Sequence, residues 1–322
     1  MRKVISIGVF DRNLIHQASP YCGDNVFAKG LEANGFKVFR LDYRAEENPD
    51  RVLLELAERI KPTLFWFGKC ERISCEAVKF LRRQFPDSVF IKWAADVRDK
   101  PVPFELEFNK SIDWFFATFG GEWLKSHLLP SMRGVASIVA FTDSEYFHPM
   151  KVDEEWKSEV LFTGRTNMIA EVDRASFLRF LIDNGIPLTW YGQHNWLEHP
   201  EYLYAINGAK IGLGLHHFIR PLYSSDRLGN YLACGTFYLS QYFPGIERVF
   251  KRAEEIDWFK TKEECLEKIE YYLKNDRIRE EIAKRGRKKV LKYFDYKPLV
   301  KNLLYIIKNK RSKYPWDDVF LN

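Results

Sequence analysis

The sequence has no apolar run near the ~20 residues that a membrane-crossing helix needs. Its apolar stretches are short, such as Leu303-Leu304-Tyr305-Ile306-Ile307. Cysteine is sparse. The five cysteines, Cys22, Cys70, Cys75, Cys234 and Cys265, are scattered and never spaced CxxC. That argues against a disulfide framework or a zinc site and for a reducing, cytoplasmic setting. Common catalytic signatures are also missing. There is no GxxxxGK[ST], no GxGxxG after a strand, no HExxH and no GxSxG. These absences turn the reading away from a P-loop ATPase, a dehydrogenase and an α/β-hydrolase. No short repeat and no low-complexity segment is present.

What remains is a chain of 322 residues with 46% hydrophobic, 16% aromatic and 29% charged residues. That composition belongs to a folded protein, and the length to two domains rather than one. The opening Met1-Arg2-Lys3-Val4-Ile5-Ser6-Ile7-Gly8-Val9-Phe10 has the start of a signal peptide. Asp11 and Arg12 end its apolar stretch too early, so it reads as a buried first strand.

Hydrophobic patterning then alternates between strand and helix. Strands are expected at Val4–Phe10, Phe36–Leu41, Thr63–Phe67, Val89–Ala94, Ile112–Thr118 and Gly134–Phe141. Helices are expected at Asn25–Asn34, Pro49–Ile60 and Ser74–Gln84. The pattern restarts with strands at Glu159–Gly164, Pro187–Tyr191, Lys210–Leu215 and Phe237–Ser240. Helices at Asp173–Asn184, Tyr202–Ala209, Arg227–Ala233, Lys262–Lys274 and Arg277–Tyr293 accompany them. Alternating strands and helices imply right-handed crossovers and parallel sheets covered on both faces. Two such units, meeting in the polar stretch around Met150–Lys157, imply two Rossmann-like domains facing each other.

Open α/β sheets bind ligands beyond the carboxyl ends of their strands. In the second unit this directs attention to Gly164-Arg165-Thr166-Asn167, to Gly192-Gln193-His194-Asn195, and to His216 through Arg227. His216-His217 makes a poor metal pair, because adjacent side chains diverge and no carboxylates accompany them. The run Ser224-Ser225-Asp226-Arg227-Leu228-Gly229-Asn230-Tyr231-Leu232-Ala233-Cys234-Gly235 stands out. Small polar residues open a helix there and a glycine ends it. A helix N-terminus offers free N–H groups to a phosphate, and Arg227 adds a planar charged fork.

From Val160 to about Ile307 the sequence resembles the nucleotide-binding half of a GT-B glycosyltransferase. The likeness is specifically to the CgeB-like (spore-maturation type) branch of the glycosyl transferase group 1 superfamily. That branch carries an S-x-R-x-F-E-x-x-A-C-G run, matched here by Ser225, Arg227, Ala233, Cys234 and Gly235. Leu161-Phe162-Thr163-Gly164 and Trp190-Tyr191-Gly192 match the first two strands of that domain. Glu255-Ile256, Phe259, Glu263-Glu264 and Tyr271–Asp276 match its closing elements. Two family positions differ. The glutamate that holds the nucleotide ribose is Asn230 here, and the E-x7-E pair of retaining enzymes falls on Leu222 and Asn230.

The resemblance implies an α/β, GT-B fold. It implies an acceptor domain over 1–152, a nucleotide-sugar domain over 153–296, and a C-terminal helix and tail over 297–322 returning to the first domain. It implies a hexosyl- or pentosyltransferase using a nucleotide-diphosphate sugar as co-substrate, with no bound metal and no cofactor. The donor-binding residues would be Gly164, Arg165, Tyr191, Gly192, Ser224, Ser225, Asp226, Arg227 and Asn230. Asp96, after the fourth strand, and Asp11 and His16, after the first, are the candidates for a general base.

The acceptor stays open among a glycan, a lipid-linked sugar or a small molecule, and DNA bearing a hydroxymethylated base. The DNA reading rests on charge. Residues 284–313 carry 12 basic side chains against the single Asp295, a net +11. Such a segment can follow phosphates, and Trp93, Phe115, Phe116 and Trp123 could stack on a flipped base. A third reading is a relative that binds nucleotide sugars without turnover, to which Asn230 points.

Overall fold

The computed structural model describes residues 2–10, 22–95, 102–166, 171–192 and 194–322. The chain divides into two compact units. One comprises Met1–Val139 with Tyr296–Asn322, and the other Ala140–Asp295. The first division therefore falls before the polar stretch at Met150–Lys157. Residues 140–152 belong with the second unit.

The first unit is built on a seven-stranded sheet. Six strands are parallel: β1 (Arg2–Gly8), β2 (Phe36–Asp42), β3 (Leu64–Phe67), β4 (Val89–Ala94), β5 (Trp114–Ala117) and β6 (Gly134–Ser137). The seventh strand, β12 (Val319–Leu321), pairs antiparallel on β6, giving the order β12-β6-β5-β4-β3-β1-β2. Strands β3 and β5 are buried throughout, as both-face coverage requires. The order reverses between β1 and β3, which is where a doubly wound sheet opens its crevice.

Helices α1 (Gly23–Ala33), α2 (Pro49–Ile60), α3 (Cys75–Gln84), α4 (Pro103–Asn109) and α5 (Gly121–Lys125) link these strands. Asn48 and Ser74 cap α2 and α3 by accepting from Arg51 N and Ala77 N. The final helix, α12 (Tyr296–Asn309), packs against α1 and buries Leu299, Val300, Leu303 and Ile306. The two helices meet at Gly30, where any Cβ would run into Val300 and the Tyr296 carbonyl.

The second unit is a five-stranded, all-parallel sheet. Its strands are β7 (Ser158–Thr163), β8 (Leu188–Tyr191), β9 (Ala209–Gly214), β10 (Phe237–Gln241) and β11 (Asp257–Phe259), ordered β11-β10-β9-β7-β8. Its switch of direction lies between β7 and β9. Helices α6 (Arg174–Asp183), α7 (Glu201–Gly208), α8 (Asp226–Cys234), α9 (Ile246–Val249), α10 (Lys262–Lys274) and α11 (Asp276–Tyr293) surround it. Val160, Phe162, Ile211, Leu213, Phe237 and Leu239 form the core, with α6, α10 and α11 contributing to it.

The short elements α4, α5, α9, β11 and β12 escape the sequence reading. Each holds too few residues to show a period. The longer elements lie where expected to within a few residues, with one exception of note. The strand expected over Gly134–Phe141 stops at Ser137.

Candidate active site

The carboxyl ends of β7 and β9 carry two buried arginines. Asp173 caps α6 by accepting from Ser176 N at 3.0 Å, which fixes Arg174 as the first residue of that helix. Arg174 is 3% exposed. It donates to the carbonyls of Arg165 (3.1 Å) and Leu215 (2.6 Å) and lies 2.6 Å from His217 Nε2. Arg227, in the first turn of α8, is 8% exposed. It donates to the carbonyls of Thr163 (2.8 Å) and Leu215 (2.9 Å), and its guanidinium lies over the Phe162 ring.

Among the described residues neither guanidinium forms an ion pair with a carboxylate, and the Nε of each is buried without a hydrogen-bond partner. Burial, and then the neighbouring charge of Arg227, pulls Arg174 down to about 9. A cation at the start of a helix also opposes the helix dipole. Two like charges out of water with no counter-charge is an arrangement that an anion would relieve.

The surrounding groups are held tightly. Gly164 directly follows β7 with φ at +155°. A side chain there would be strained, and its Cβ would lie 2.8 Å from Arg227 Nη1. Gly164 N donates to Tyr191 O at 2.8 Å, and Trp190 Nε1 donates to Gly164 O at 3.1 Å. Asn195 accepts from Gly192 N at 2.9 Å and donates to Trp190 O at 3.0 Å, so the loops after β7 and β8 are tied together. Arg165 reaches outward over Trp196, 5.7 Å from the ring centre, and Trp196 is 57% exposed.

His216 follows β9. Its Nε2 donates to Gln241 O at 3.1 Å, its backbone N donates to Gln241 Oε1, and its Nδ1 is buried without a partner. Burial, with Arg227 and Arg174 beside it, pushes this imidazole down to about 3, so it is neutral at ordinary pH. With Nε2 carrying the proton, Nδ1 presents a lone pair.

Helix α8 is buried from Arg227 to Cys234 and ends at Gly235 with φ +82°. Ser225 stands at its N-cap position but makes no cap bond. Asp226 Oδ1 accepts from Arg227 N at 3.1 Å. The helix is pressed against β9, with Gly212 under the Tyr231 ring and Tyr231 OH 3.0 Å from Thr163 Oγ1.

Seven of the nine sequence-derived donor residues therefore gather at these strand ends: Gly164, Arg165, Tyr191, Gly192, Ser225, Asp226 and Arg227. Ser224 is buried beside them. Asn230 is turned inward instead, its Oδ1 accepting from Thr142 Oγ1 at 3.3 Å. Asp11, His16 and Asp96 lie outside the described residues. Arg174 lies among these groups although the sequence did not single it out. A cation directly after an Asp cap, against the helix dipole, was the available signal for Arg174.

The basic segment 284–313 is divided between the two units at Tyr296. Several of its cations have intramolecular partners. Arg285 donates to Glu254 O, Arg287 to Ala233 O and Lys289 to Glu255 at 2.7 Å. Trp93, Phe115 and Phe116 are core residues, and Trp123 packs on His127, so these rings are not an open stacking platform. Among the described residues no helix is long and apolar enough to cross a membrane, and no group of three or more His, Cys, Asp or Glu is placed to hold a metal.

Residues 165–305 match the family model described as "Glycosyl transferase-like". No curated protein matches the chain. Solved structures match over nearly its whole length. Sucrose-phosphate synthase from Thermosynechococcus elongatus superposes with a TM-score of 0.65 at 13% identity, covering 96% of this chain and 99% of that one. HepE of Anabaena in complex with UDP-glucose gives a TM-score of 0.59 at 7% identity, covering 96% and 100%. A glycosyltransferase from Rickettsia africae gives 0.58 at 13% identity, covering 95% and 98%. The fold is GT-B. In GT-B terms Ala140–Asp295 is the C-terminal unit, and the glycosyl transferase-like match begins at Arg165, inside the loop that Arg174 and Gly164 organise.

Proposed function

We propose that this chain is a glycosyltransferase that moves a sugar from a nucleotide-diphosphate sugar to an acceptor hydroxyl, without a bound metal. The observation that carries the reading is the pair Arg174 and Arg227, buried at the switch point of the second sheet and, among the described residues, ion-paired with no carboxylate. A diphosphate supplies the missing negative charge. The leaving nucleoside diphosphate gains charge as the glycosidic bond breaks, so the same arginines and the start of α8 stabilise the transition state more than the ground state. The exposed face of Trp196, beside Arg165, offers a surface on which the nucleobase stacks. The family match and the sugar nucleotide held by HepE are consistent with this use of the site.

The chain reads as a member of the CgeB-like branch working in the cytoplasm on a glycan, lipid-linked or small-molecule acceptor. DNA is the weaker acceptor, because the basic segment is split between units and partly paired internally. The test is calorimetry with UDP, GDP, ADP and dTDP. At least one should bind, and Arg227→Met should weaken it at least ten-fold, about 1.4 kcal/mol. Arg174→Lys, which keeps charge but loses the fork, should weaken it less than Arg227→Met. Absence of binding by all four, or binding indifferent to Arg227, overturns the reading.

A further inference from the structure

The edge of the first unit sets a cluster of cations beside an apolar loop. From Tyr296 through Trp316 the chain holds six lysines and arginines and no aspartate or glutamate. Four of the six, Lys308, Lys310, Arg311 and Lys313, lie in and just after the last turn of α12, and all four are exposed. Among the described residues none of the four forms an ion pair. Lys313 instead lies over the Tyr305 ring, 4.6 Å from its centre. A helix C-terminus favours a cation in its last turn, which accounts for Lys308. The other three lie beyond that turn.

The C-terminal tail ties this cluster to the segment before β6. Asp317 accepts from Asn302 Nδ2 at 2.8 Å and from Ser312 Oγ. Its neighbour Asp318 accepts from Gly121 N at 2.7 Å, at the start of α5. Both tail carboxylates are thus engaged by polar groups of the unit. Strand β12 follows, with Lys125 Nζ over the Phe320 ring. Asn322 Nδ2 then donates to the carbonyls of Leu129 at 2.7 Å and Met132 at 2.8 Å. The turn at Ser312 and the segment from Gly121 to Met132 therefore flank the same short tail. At ~3.4 Å per residue, β12 spans only about 10 Å, so cations and loop adjoin along this edge of the sheet.

The loop and tail present apolar side chains there. Leu321 is 39% exposed, and Trp123, Leu128 and Leu129 are half-buried. Lys125 is exposed among them, and the nearby Glu122 is paired with it at 3.5 Å. A single exposed leucine is ordinary on a protein surface. Several of them with a tryptophan, bordered by cations that no carboxylate neutralises, make the composition of an interfacial segment. Nucleic acid would use the cations but leave the leucines in water. An anionic bilayer uses both: the cations meet headgroup phosphates while leucine and tryptophan enter the boundary with the acyl chains.

We propose that this edge of the first unit, formed by β12, the loop before β6 and the turn after α12, rests on an anionic lipid surface. Lys310, Arg311 and Lys313 contact the headgroups, and Leu321 and the Leu128-Leu129 pair enter the interface. The experiment is co-sedimentation of the full chain with vesicles of phosphatidylcholine alone and of equal parts phosphatidylcholine and phosphatidylglycerol, at low and high salt. Duplex DNA is added as a competitor. The mixed vesicles should bind at least about ten-fold more tightly than the neutral ones, and less tightly as salt rises. Replacing the three cations together, Lys310→Glu, Arg311→Glu and Lys313→Glu, should weaken binding to the mixed vesicles at least about ten-fold. Leu321→Gln should weaken it about three-fold or more through the lost apolar contact. The surface does not involve the arginine pair of the second unit, so UDP affinity should be the same in all three proteins, as should the melting temperature. Four results overturn the proposal: no preference for anionic vesicles, binding indifferent to the triple replacement, binding indifferent to Leu321→Gln, or displacement from the vesicles by DNA at equal phosphate concentration. The last would assign the cations to nucleic acid.

Discussion

Arg174 and Arg227 donate to the same acceptor, the carbonyl oxygen of Leu215, at 2.6 and 2.9 Å. The two cations enter from different helices and meet at the end of β9. Carbonyl oxygens carry only partial charge, and among the described residues no carboxylate is ion-paired with either guanidinium, so the two cations would gain from a bound anion. This predicts anion-dependent stability. At matched ionic strength, sulfate should raise the melting temperature of the wild type more than chloride does. In Arg227→Met that difference should shrink to less than half, because one of the two charges is gone. The measurement is a thermal melt in each salt. An equal sulfate effect in both proteins would place the anion elsewhere.

The neutral imidazole beside these arginines predicts an acid-sensitive unit. His216 ordinarily titrates near 6.5 and is held down to about 3 in the fold. Below 6.5 the unfolded chain takes up a proton that the folded chain refuses, so stability falls as pH drops from 6.5 toward 3. The loss is at most about 1.4 kcal/mol per pH unit for a single group. His216→Gln can keep the donor to Gln241 O but cannot titrate. Its stability, followed by urea unfolding, should fall less steeply over that window than that of the wild type. Parallel slopes would remove His216 as the titrating group.

Close packing at Gly30 predicts that α12 depends on a missing side chain. A Cβ at this position would strike Val300 and the Tyr296 carbonyl, and backbone does not yield as a flexible side-chain tip does. Gly30→Ala should therefore destabilise the first unit by about 1–3 kcal/mol despite alanine's better helix propensity. Limited proteolysis should also cut the tail beyond Asp295 faster. A variant as stable as wild type would mean that α12 rides loosely on α1.

The layout of the fold was legible because its long elements are strongly periodic. Pro49–Ile60, with Leu53, Ala57 and Ile60 buried, announces itself in the sequence. The strand ends likewise pointed to Gly164 and Gly192. What was not legible is which polar side chains turn inward. Arg227 was visible as a cation in a first turn, yet nothing local says that its fork bonds two strand-end carbonyls. Asn230, three residues on, shares its helix face but meets Thr142, a partner 88 residues away in sequence. Lys92 sits in the run Val89-Phe90-Ile91-Lys92-Trp93-Ala94, where its charge reads as an exposed interruption. The pleat sends it into the interior because both faces of this central strand are covered. Burial of that kind is decided by neighbours brought together in the fold, and period alone does not reveal it.

Asp24 gives the opposite pH signature from His216, which makes the two separable. It stands in the first turn of α1, at the switch point between β1 and β3, and fills the space above Gly8 and Gly68. Its carboxyl accepts from Val9 N at 2.9 Å and from Trp93 Nε1 at 2.8 Å. Burial outweighs these bonds and raises it from 3.8 to about 6. Between those values the folded chain keeps a proton that the unfolded chain has released. Stability should therefore fall as pH rises from about 4 to about 6 and level off above, by up to about 3 kcal/mol from this group. Asp24→Asn removes the titration but presents an amide N–H₂ to one of the two donors. It should therefore be less stable than wild type at pH 4, by about 1–3 kcal/mol. The gap should narrow as pH rises to 7, where the wild-type carboxylate carries its own burial cost. Urea unfolding of both proteins at pH 4, 5, 6 and 7 measures it, and a gap that is constant across the series would show that Asp24 does not titrate in this window.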